Sequence, residues 1–336
     1  MKATFFKEVG KPLGIENRPD PTPAQGEVVV KVGRCGICGS DLSMTSNPVL
    51  CFSPGFAMGH EFCGEVVAVG TNVTRFKQGD LLSAMPVSGC GECAACLSGY
   101  PYGCTKAFYS MGGFAEYALV KADVATRLPS SLSLVDGALV EPLAASLRAV
   151  TVARIQPGAR IVVVGLGAMG MGVIYWARRL GAGKIVASAR SPWREEMALG
   201  MGATTFIAND ADFIGNTTEF LGGLPDIVFE CTGAAGLIAE AVNLVRPRGT
   251  VLALGACNHP DPIHPFFAMT KEVCIQFTAA YSLQDFQYTV DILNSGAVEP
   301  RSMVTNTISL DELPAMFESL RGSNRQCKVM VDPWLQ

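Results

Sequence analysis

The chain has 336 residues, of which 49% are hydrophobic and 17% are charged. This composition excludes an intrinsically disordered chain, and the length exceeds what one hydrophobic core usually supports, so we expect two compact domains with a cleft. The formal charge is −4 and no dense run of lysine or arginine occurs, which argues against a nucleic-acid or anionic-membrane partner and favours a small-molecule ligand.

The N-terminus gives no sign of export. Its first 20 residues carry scattered charges and no apolar core, so they do not resemble a signal peptide. The uncharged stretch over 161–177 is short for a bilayer span and contains glycines near its start. We therefore expect a cytoplasmic protein whose 12 cysteines bind metal or pack in the core and do not form disulfides.

The pattern of apolar residues changes near the middle of the chain. The first 130 residues contain short β-type runs broken by Gly, Pro and Asn, which predicts an irregular β-rich domain over 1–140. From Pro157 onward, apolar runs alternate with segments of helical length, which is typical of a parallel sheet. We predict a βαβ domain over 141–280 and a tail over 281–336 that returns to the first domain.

Two segments of the β-rich domain carry metal-binding residue types. One is C-G-I-C-G-S-D over 35–41, and the other is Gly59-His60-Glu61 at the start of a β-type run. Cys38, His60 and Glu61 offer a thiolate, an imidazole and a carboxylate, which suit zinc and leave a position for water or substrate. Each residue alone is more often a packing residue, so the prediction depends on the combination.

Four further cysteines follow in a glycine-rich segment with the spacing C-x2-C-x2-C-x7-C. They are Cys90, Cys93, Cys96 and Cys104. Four thiolates at this spacing can surround one tetrahedral Zn²⁺ and hold a lobe, about 88–106, that is too small to fold around its own core. Ferredoxin-type clusters have a shorter last gap followed by proline, whereas Thr105 follows here, so zinc is favoured over an iron–sulfur cluster. A closed set of four ligands predicts a structural site.

A dinucleotide-binding motif opens the βαβ domain. Residues 161–170, IVVVGLGAMG, form an apolar strand that runs into G-x-G-x-x-G and is followed by an apolar helical segment. Gly165 permits the tight turn, Gly167 lets the backbone approach a pyrophosphate, and Gly170 allows close helix–strand packing. This context predicts a Rossmann domain. The predicted contacts of this loop are Gly165, Leu166, Gly167, Ala168, Met169 and Gly170.

The ends of later strands predict further cofactor contacts. NAD-specific enzymes place an acidic residue at the end of the second strand, where this chain has Ala189. Arg190 and Arg194 can pair with a 2′-phosphate, and Ser188 offers a hydroxyl to the same group. We therefore predict NADP(H) in preference to NAD(H). Other strand ends expected to line the same crevice contain Thr232, Leu254 and Gly255.

The segment that begins with Gly59-His60-Glu61 also resembles the signature of a known family. Residues 59–73, GHEFCGEVVAVGTNV, fit the G-H-E-x2-G-x5-G-x2-V signature of the zinc-containing medium-chain dehydrogenase/reductase superfamily at every fixed position. The resemblance extends over essentially the whole chain, because four features occur in that family's order: the catalytic-zinc segment, the four-cysteine lobe, the glycine motif and the C-terminal tail. It implies an α/β fold, with a GroES-like β-rich catalytic domain and a doubly wound Rossmann domain, in a homodimer or homotetramer. The implied reaction moves hydride between NADP(H) and a secondary alcohol or ketone, a polyol or an aldehyde.

The resemblance also implies roles for single residues. Cys38, His60 and Glu61 would hold a catalytic zinc, with Asp41 orienting His60. Glu141, in VEPLAAS, matches the position at which polyol- and threonine-dehydrogenase-like members have glutamate, and it would bind the metal directly or through water. With the zinc of the four-cysteine lobe, each chain would carry two zinc ions.

A proton relay is implied as well. Ser40 matches the family hydroxyl that accepts a proton from the zinc-bound alcohol, whose alkoxide then gives up hydride to the nicotinamide. Ser43 stands where many relatives have a histidine that carries the proton onward, so water, a ribose hydroxyl or Glu141 is left to complete the relay. Cys35 would have no ligand role.

Two other functions use the same features: a reductase of an activated C=C bond on the same scaffold, and a non-enzymatic, zinc-stabilised dinucleotide-binding protein. The predicted zinc ligands count against the first, and an open metal position beside Ser40 counts against the second. Aromatic residues suggest a substrate less hydrophilic than a bare sugar. The candidate pocket walls are Phe52, Phe56, Phe108, Tyr109 and Tyr281.

Overall fold

The computed structural model describes residues 1–47, 51–109 and 111–335. The chain forms two compact units, of which one comprises Met1–Ala144 together with Tyr281–Gln336 and the other comprises Ala145–Ala280. Among the described residues, no helix has both the length and the apolar character needed to cross a membrane.

The strands and helices are numbered in chain order. The strands are β1 (Lys2–Phe5), β2 (Gly14–Asn17), β3 (Glu27–Gly36), β4 (Glu61–Val69), β5 (Leu81–Ala84), β6 (Val87–Ser88), β7 (Phe108–Tyr109), β8 (Tyr117–Lys121), β9 (Ala125–Arg127), β10 (Arg160–Val164), β11 (Lys184–Ala189), β12 (Thr205–Ala208), β13 (Ile227–Glu230), β14 (Thr250–Ala253), β15 (Cys274–Phe277), β16 (Val304–Ile308) and β17 (Lys328–Val331). The α-helices are α1 (Gly39–Met44), α2 (Ala94–Leu97), α3 (Leu134–Val152), α4 (Ala168–Arg179), α5 (Glu195–Gly200), α6 (Phe213–Leu221), α7 (Leu237–Leu244), α8 (Pro265–Thr270), α9 (Leu283–Asn294) and α10 (Leu313–Ser319).

The first unit is built on a seven-stranded sheet. Its strand order is β16-β17-β3-β4-β5-β9, and β8 also pairs with β3. Strand β3 pairs with β4, β8 and β17 in antiparallel register, and its valines, such as Val28, Val30 and Val32, are buried in an apolar core. The pairing of β17 with β3 joins the C-terminal strand to the start of the first cysteine motif, at Cys35 and Gly36.

The second unit has one sheet of six strands in the order β12-β11-β10-β13-β14-β15. Every neighbouring pair is parallel, as crossover helices require. This order, in which the first strand lies at the centre and the chain reverses beside it, is that of the Rossmann fold. Together with the β-rich first unit, it confirms the predicted fold class.

The glycine motif lies between β10 and α4, as predicted. Gly165 has a φ of +96°, which L side chains rarely adopt, and a Cβ on Gly170 would collide with the carbonyl oxygen of Gly165. The strand can therefore turn sharply into the helix, and α4 can pack closely on β10, only because glycine stands at these two positions.

Candidate zinc and dinucleotide sites

Three side chains from two segments converge in the first unit. The ligand atoms of Cys38, His60 and Glu61 all lie within 4.8 Å of one another. Cys38 is the residue before α1, and His60 and Glu61 stand at the start of β4. The register of β3 on β4 pairs Gly36 with Glu61, which brings the cysteine motif beside the histidine. A Cβ on Gly36 would collide with Glu61 Oε2, so this carboxylate needs glycine at that position.

Asp41 organises two of these three residues. Its Oδ2 accepts a hydrogen bond of 3.0 Å from the backbone N–H of Cys38, and its Oδ1 lies 3.3 Å from His60 Nδ1. Burial alone would lower the pKa of His60, but the Asp41 carboxylate and the Cys38 sulfur raise it well above its usual range. Because Nδ1 faces Asp41, Nε2 is the ring nitrogen left for a metal. Asp41 therefore lies where the resemblance places it.

Lys328 is a member of this site that no motif pointed to. Its Nζ lies 2.6 and 2.5 Å from the two carboxylate oxygens of Glu61 and 3.0 Å from the carbonyl oxygen of Ile37. Both side chains are almost completely buried. Burial opposes the charge of Lys328, but Glu61 and Cys38 raise the pKa of the ammonium group above its usual range. A charged lysine therefore neutralises Glu61 inside the site. The only feature of the sequence that could have indicated Lys328 is its position as a charged residue at the start of a buried apolar strand.

Glu141 lies in α3 and is buried, with 7% of its surface exposed. It is outside the set of three ligand atoms within 4.8 Å. The hydroxyl of Tyr281 donates a hydrogen bond of 2.7 Å to Glu141 Oε1. Burial raises the pKa of Glu141 to about 7, with the charge of His60 opposing this effect and that of Glu61 adding to it. Two of the three candidate ligands, His60 and Glu61, therefore affect the charge of Glu141.

The remaining residues of the first motif lie close by. Ser40 is in the first turn of α1 and partly buried, and Ser43 follows one turn later on the same helix. Cys35 is fully buried in β3 and is not in the set of candidate ligands.

The four cysteines of the lobe also converge, with all four sulfur atoms within 4.8 Å of one another. The sulfur of Cys93 lies 3.5 Å from that of Cys96, and Cys96 is in the short helix α2. The backbone N–H groups of Cys90 and Lys106 donate to Cys104 Sγ at 3.4 and 3.3 Å. Backbone donors of this kind stabilise a thiolate, which is the form of cysteine that binds a metal.

In the second unit, the end of β13 lies against the glycine loop, and the end of β14 is bonded to the end of β13. A Cβ on Gly165 would collide with the methyl group of Thr232. Glu230, which is buried and was not predicted, accepts hydrogen bonds of 2.7 and 2.9 Å from the backbone N–H groups of Thr232 and Gly233. Its backbone carbonyl accepts from Leu254 and Gly255 at 2.8 and 3.1 Å. Glu230 thus holds the ends of β13 and β14 together.

The predicted cofactor residues at the end of β11 and just after it have different surroundings. Arg190 is exposed, whereas Arg194 donates a hydrogen bond of 2.9 Å to the carbonyl of Leu166 and lies over the ring of Trp193, with the guanidinium 4.2 Å from the ring centroid. Arg194 is therefore fixed to the glycine loop. Ser188 differs from expectation: its side chain is fully buried in β11 and does not reach the exposed surface of Arg190.

Comparisons with known proteins show the family of the chain. Residues 24–130 match the family model of the alcohol dehydrogenase GroES-like domain, and residues 168–295 match that of zinc-binding dehydrogenases. The chain is 32% identical to sorbitol dehydrogenase of Bacillus subtilis (strain 168), over 99% of this chain and 97% of that protein. The chain belongs to the zinc-containing medium-chain dehydrogenase/reductase superfamily.

Solved structures of similar proteins superpose closely on the chain. A zinc-binding dehydrogenase of Sinorhizobium meliloti 1021, bound to NADP, is 31% identical, has a TM-score of 0.91, and matches over 99% of both chains. A protein of E. coli CFT073 described as a short chain alcohol dehydrogenase, complexed with NADH, is 26% identical with a TM-score of 0.89, again over 99% of both chains. As a member of the superfamily, the protein is an oxidoreductase that acts on small-molecule alcohols.

The candidate pocket walls of this dehydrogenase occupy different surroundings. The rings of Phe52 and Phe56 are stacked, with centroids 4.7 Å apart, at the apolar core of the first unit. Phe108 and Tyr109 are more than half exposed in β7. Tyr281 is fully buried beside Glu141. Of the five, Tyr281 is the one that the structure connects to a proposed catalytic residue.

Proposed function

We propose that the protein is a zinc-dependent dehydrogenase that transfers hydride between NADP(H) and a secondary alcohol or ketone, with polyols as the first substrate class to test. The observation that carries this proposal is the convergence of Cys38, His60 and Glu61 beside the helix turn that bears Ser40. Three protein donors of mixed type leave a fourth tetrahedral position for substrate, which is the arrangement of catalytic zinc sites.

The residues of this site fit a zinc ion. Thiolate, imidazole and carboxylate are its usual donors, and the Asp41 carboxylate beside His60 Nδ1 is the partner that zinc-bound histidines commonly have. Cys38, His60 and Glu61 would hold the metal, and Glu141 would bind it directly or through water. A bound zinc ion would supply Lewis acidity, which lowers the pKa of an alcohol or polarises a carbonyl.

The chain's own groups then have separate tasks. Ser40 accepts the proton of the substrate hydroxyl and passes it outward. Asp41 orients the His60 ring, and Lys328 balances the charge of Glu61 so that a buried carboxylate is tolerated. Glu141 is a candidate acceptor for the proton beyond Ser40, since Ser43 has no imidazole to carry it.

We also propose a second zinc ion, held by the four cysteines of the lobe. Four thiolates complete a tetrahedral shell, so this metal would have no position for substrate and would stabilise the lobe.

The proposed preference for NADP(H) rests on the end of β11. Ala189 provides no carboxylate to hold a ribose 2′-hydroxyl, and the exposed Arg190 is free to meet a 2′-phosphate. Arg190→Ala should weaken binding of NADP(H) more than that of NAD(H), and Ala189→Asp should shift the ratio of kcat/KM toward NAD(H). An unmodified protein with equal or higher kcat/KM for NAD(H) would contradict the assignment.

We further propose that two or more copies of the chain associate through the edge of the second unit. Strand β15 is the last strand of its sheet, and Phe277 on this strand is 64% exposed. Three further exposed apolar side chains lie on the neighbouring α8: Phe266, Phe267 and Met269. An exposed strand edge with apolar side chains favours pairing with a second copy. Light scattering should give a dimer or tetramer mass, and Phe277→Lys should lower it.

The reaction is tested with a panel of sorbitol, 2,3-butanediol, primary alcohols and the corresponding ketones and aldehydes, by the absorbance of the reduced nicotinamide. Zinc per chain is measured on the same preparation. Alcohol-dependent formation of NADPH by protein with two zinc ions per chain supports the proposal. Reduction of enones without activity on alcohols would favour the C=C reductase, and cofactor binding without turnover of any compound would favour the non-enzymatic protein.

A further inference from the structure

A buried tyrosine holds the Glu141 carboxylate. Tyr281 is 1% exposed, and its hydroxyl donates to Glu141 Oε1 at 2.7 Å. A phenol has a single proton to donate, so this bond leaves the Tyr281 oxygen as an acceptor only. The ring is fixed as well, because it stacks on Phe286 with centroids 5.8 Å apart.

The ring of Tyr281 is met by a residue of the four-cysteine lobe. Tyr102 lies in the short helical turn Pro101–Gly103, two residues before Cys104. Its ring packs edge-on against that of Tyr281, with centroids 5.5 Å apart. The Tyr281 ring is therefore held between Phe286 and a side chain of the lobe.

A backbone contact joins the same two segments. The N–H of Leu283 donates a hydrogen bond of 2.9 Å to the carbonyl of Gly99, which is in the lobe between Cys96 and Cys104. The lobe therefore meets the segment that begins at Tyr281 twice, through a backbone bond and through the Tyr102 side chain. The position of Tyr281 depends on how the lobe is folded.

We propose that the four-cysteine lobe positions the carboxylate of the catalytic site, because the ring of Tyr102 supports the ring of Tyr281 and the hydroxyl of Tyr281 holds Glu141 Oε1. One oxygen of Glu141 is thereby fixed, and the other is left for the metal, for water or for the substrate. Tyr102 and Tyr281 are positioning residues, and this inference rests on the proposed function only in placing Glu141 at a zinc centre.

The test uses the zinc-loaded protein and the variants Tyr281→Phe, Tyr102→Ala and their combination. The first removes the hydroxyl that holds Glu141, and the second removes the ring that supports Tyr281. Tyr117→Phe is the control, because Tyr117 packs on Trp334 elsewhere in the same unit. Kinetics are measured with the best alcohol of the panel and NADP⁺. Tyr281→Phe should lower kcat about tenfold, on the scale of losing a partner that orients a metal-site group, with KM for NADP⁺ unchanged. Tyr102→Ala should lower kcat less.

The double variant decides whether the two tyrosines act in series. If Tyr102 acts only through Tyr281, the double variant should match Tyr281→Phe alone. The proposal would be overturned if the effects of the two changes on kcat multiplied in the double variant. It would also be overturned if Tyr102→Ala had the kcat of the Tyr117→Phe control.

A second measurement does not depend on turnover. Release of zinc to a chelator should show one faster phase in Tyr281→Phe, by about tenfold, and an unchanged phase for the zinc of the lobe. Unchanged release of both zinc ions would overturn the positioning role. Because this readout needs no substrate, its failure is distinguishable from the failure of the proposed reaction, which would appear as the absence of turnover in the unmodified protein.

Discussion

The first unit contains two groups of candidate zinc ligands that differ in how they are assembled. The four cysteines of the lobe lie within one short segment, and all of their ligand atoms are sulfur. Cys38, His60 and Glu61 come from two segments that the pairing of β3 with β4 brings together, and they offer sulfur, nitrogen and oxygen. Four protein ligands close a tetrahedral shell, whereas three leave a position for substrate. The number and type of donors, more than the presence of cysteine, separate a structural site from a catalytic one.

The two sites also differ in the charges around them. Around Glu61 and His60, the structure places Lys328 and Asp41, both buried. In the lobe, the ion pair between Lys106 and Glu92 spans 3.6 Å with both side chains about three-quarters exposed. Buried charges must be compensated one by one, whereas exposed pairs are screened by water. The site that handles substrate is therefore the more sensitive one to loss of a single charged partner.

The most severe test of this contrast is Cys38→Ala. Losing the thiolate should remove the catalytic zinc and lower kcat/KM by at least about a thousandfold, because Lewis acidity is worth several kcal/mol and each 1.36 kcal/mol is a factor of ten. Zinc should fall from two ions per chain to one, with dinucleotide binding retained. Cys35→Ala, a buried cysteine of the same motif, is the control and should keep both ions. Full activity in Cys38→Ala would contradict the assignment of the site.

The difference between the buried charges of one site and the exposed charges of the other is tested by Lys328→Met. A methionine fills similar space but leaves the Glu61 carboxylate buried without its cation, and breaking a buried pair in this way typically costs about 3–5 kcal/mol. Urea unfolding should show that loss in the zinc-free protein and a smaller one after zinc is added, because the metal also compensates Glu61. Lys106→Met, at the exposed pair, should leave the unfolding curve unchanged. Equal effects of the two changes would mean that burial does not distinguish the sites.

The open position of the catalytic site is probed by the two serines of α1. Ser40→Ala should lower kcat by about a hundredfold, the scale expected for loss of a positioned proton-transfer group. Ser43→Ala, one helical turn away, should change kcat far less, since Ser43 cannot act as the missing histidine would. Similar mild effects of both changes, measured at saturating substrate, would show that the relay does not begin at Ser40.

The features that could be predicted from the sequence are those whose residues lie close together in the chain. The lobe and the glycine motif are contained in short segments, so spacing alone brought their residues together. Lys328 could not be paired with Glu61 in advance, because they are 267 positions apart and meet only through the register of β17 on β3. Tyr281 was expected as a pocket wall, but its bond to Glu141 spans 140 positions.

The direction of side chains was the second property that could not be predicted from the sequence. Ser188 and Ala189 are neighbours at the end of β11, and successive strand residues point to opposite faces of a sheet. Which of the two faces the solvent depends on the packing of the whole sheet, so Ser188 was assigned to the cofactor surface although it is buried. In the same way, Glu230 could not be recognised as the group that holds two strand ends, because its partners lie on two different loops.

The smallest effect on the rate is expected from Cys96→Ser, which opens the closed shell of the lobe. Zinc should again fall from two ions per chain to one, but the ion that remains should be the catalytic one, so the thermal midpoint should drop while kcat changes by less than about tenfold. Some loss of kcat is expected, because the lobe reaches Glu141 through Tyr102 and Tyr281. That loss should not exceed the one in Tyr281→Phe, measured at a temperature where both variants are folded. A Cys96→Ser protein as inactive as Cys38→Ala, with its catalytic zinc still bound, would show that the four-cysteine site takes part in the chemistry, and the division between a structural and a catalytic site would then fail.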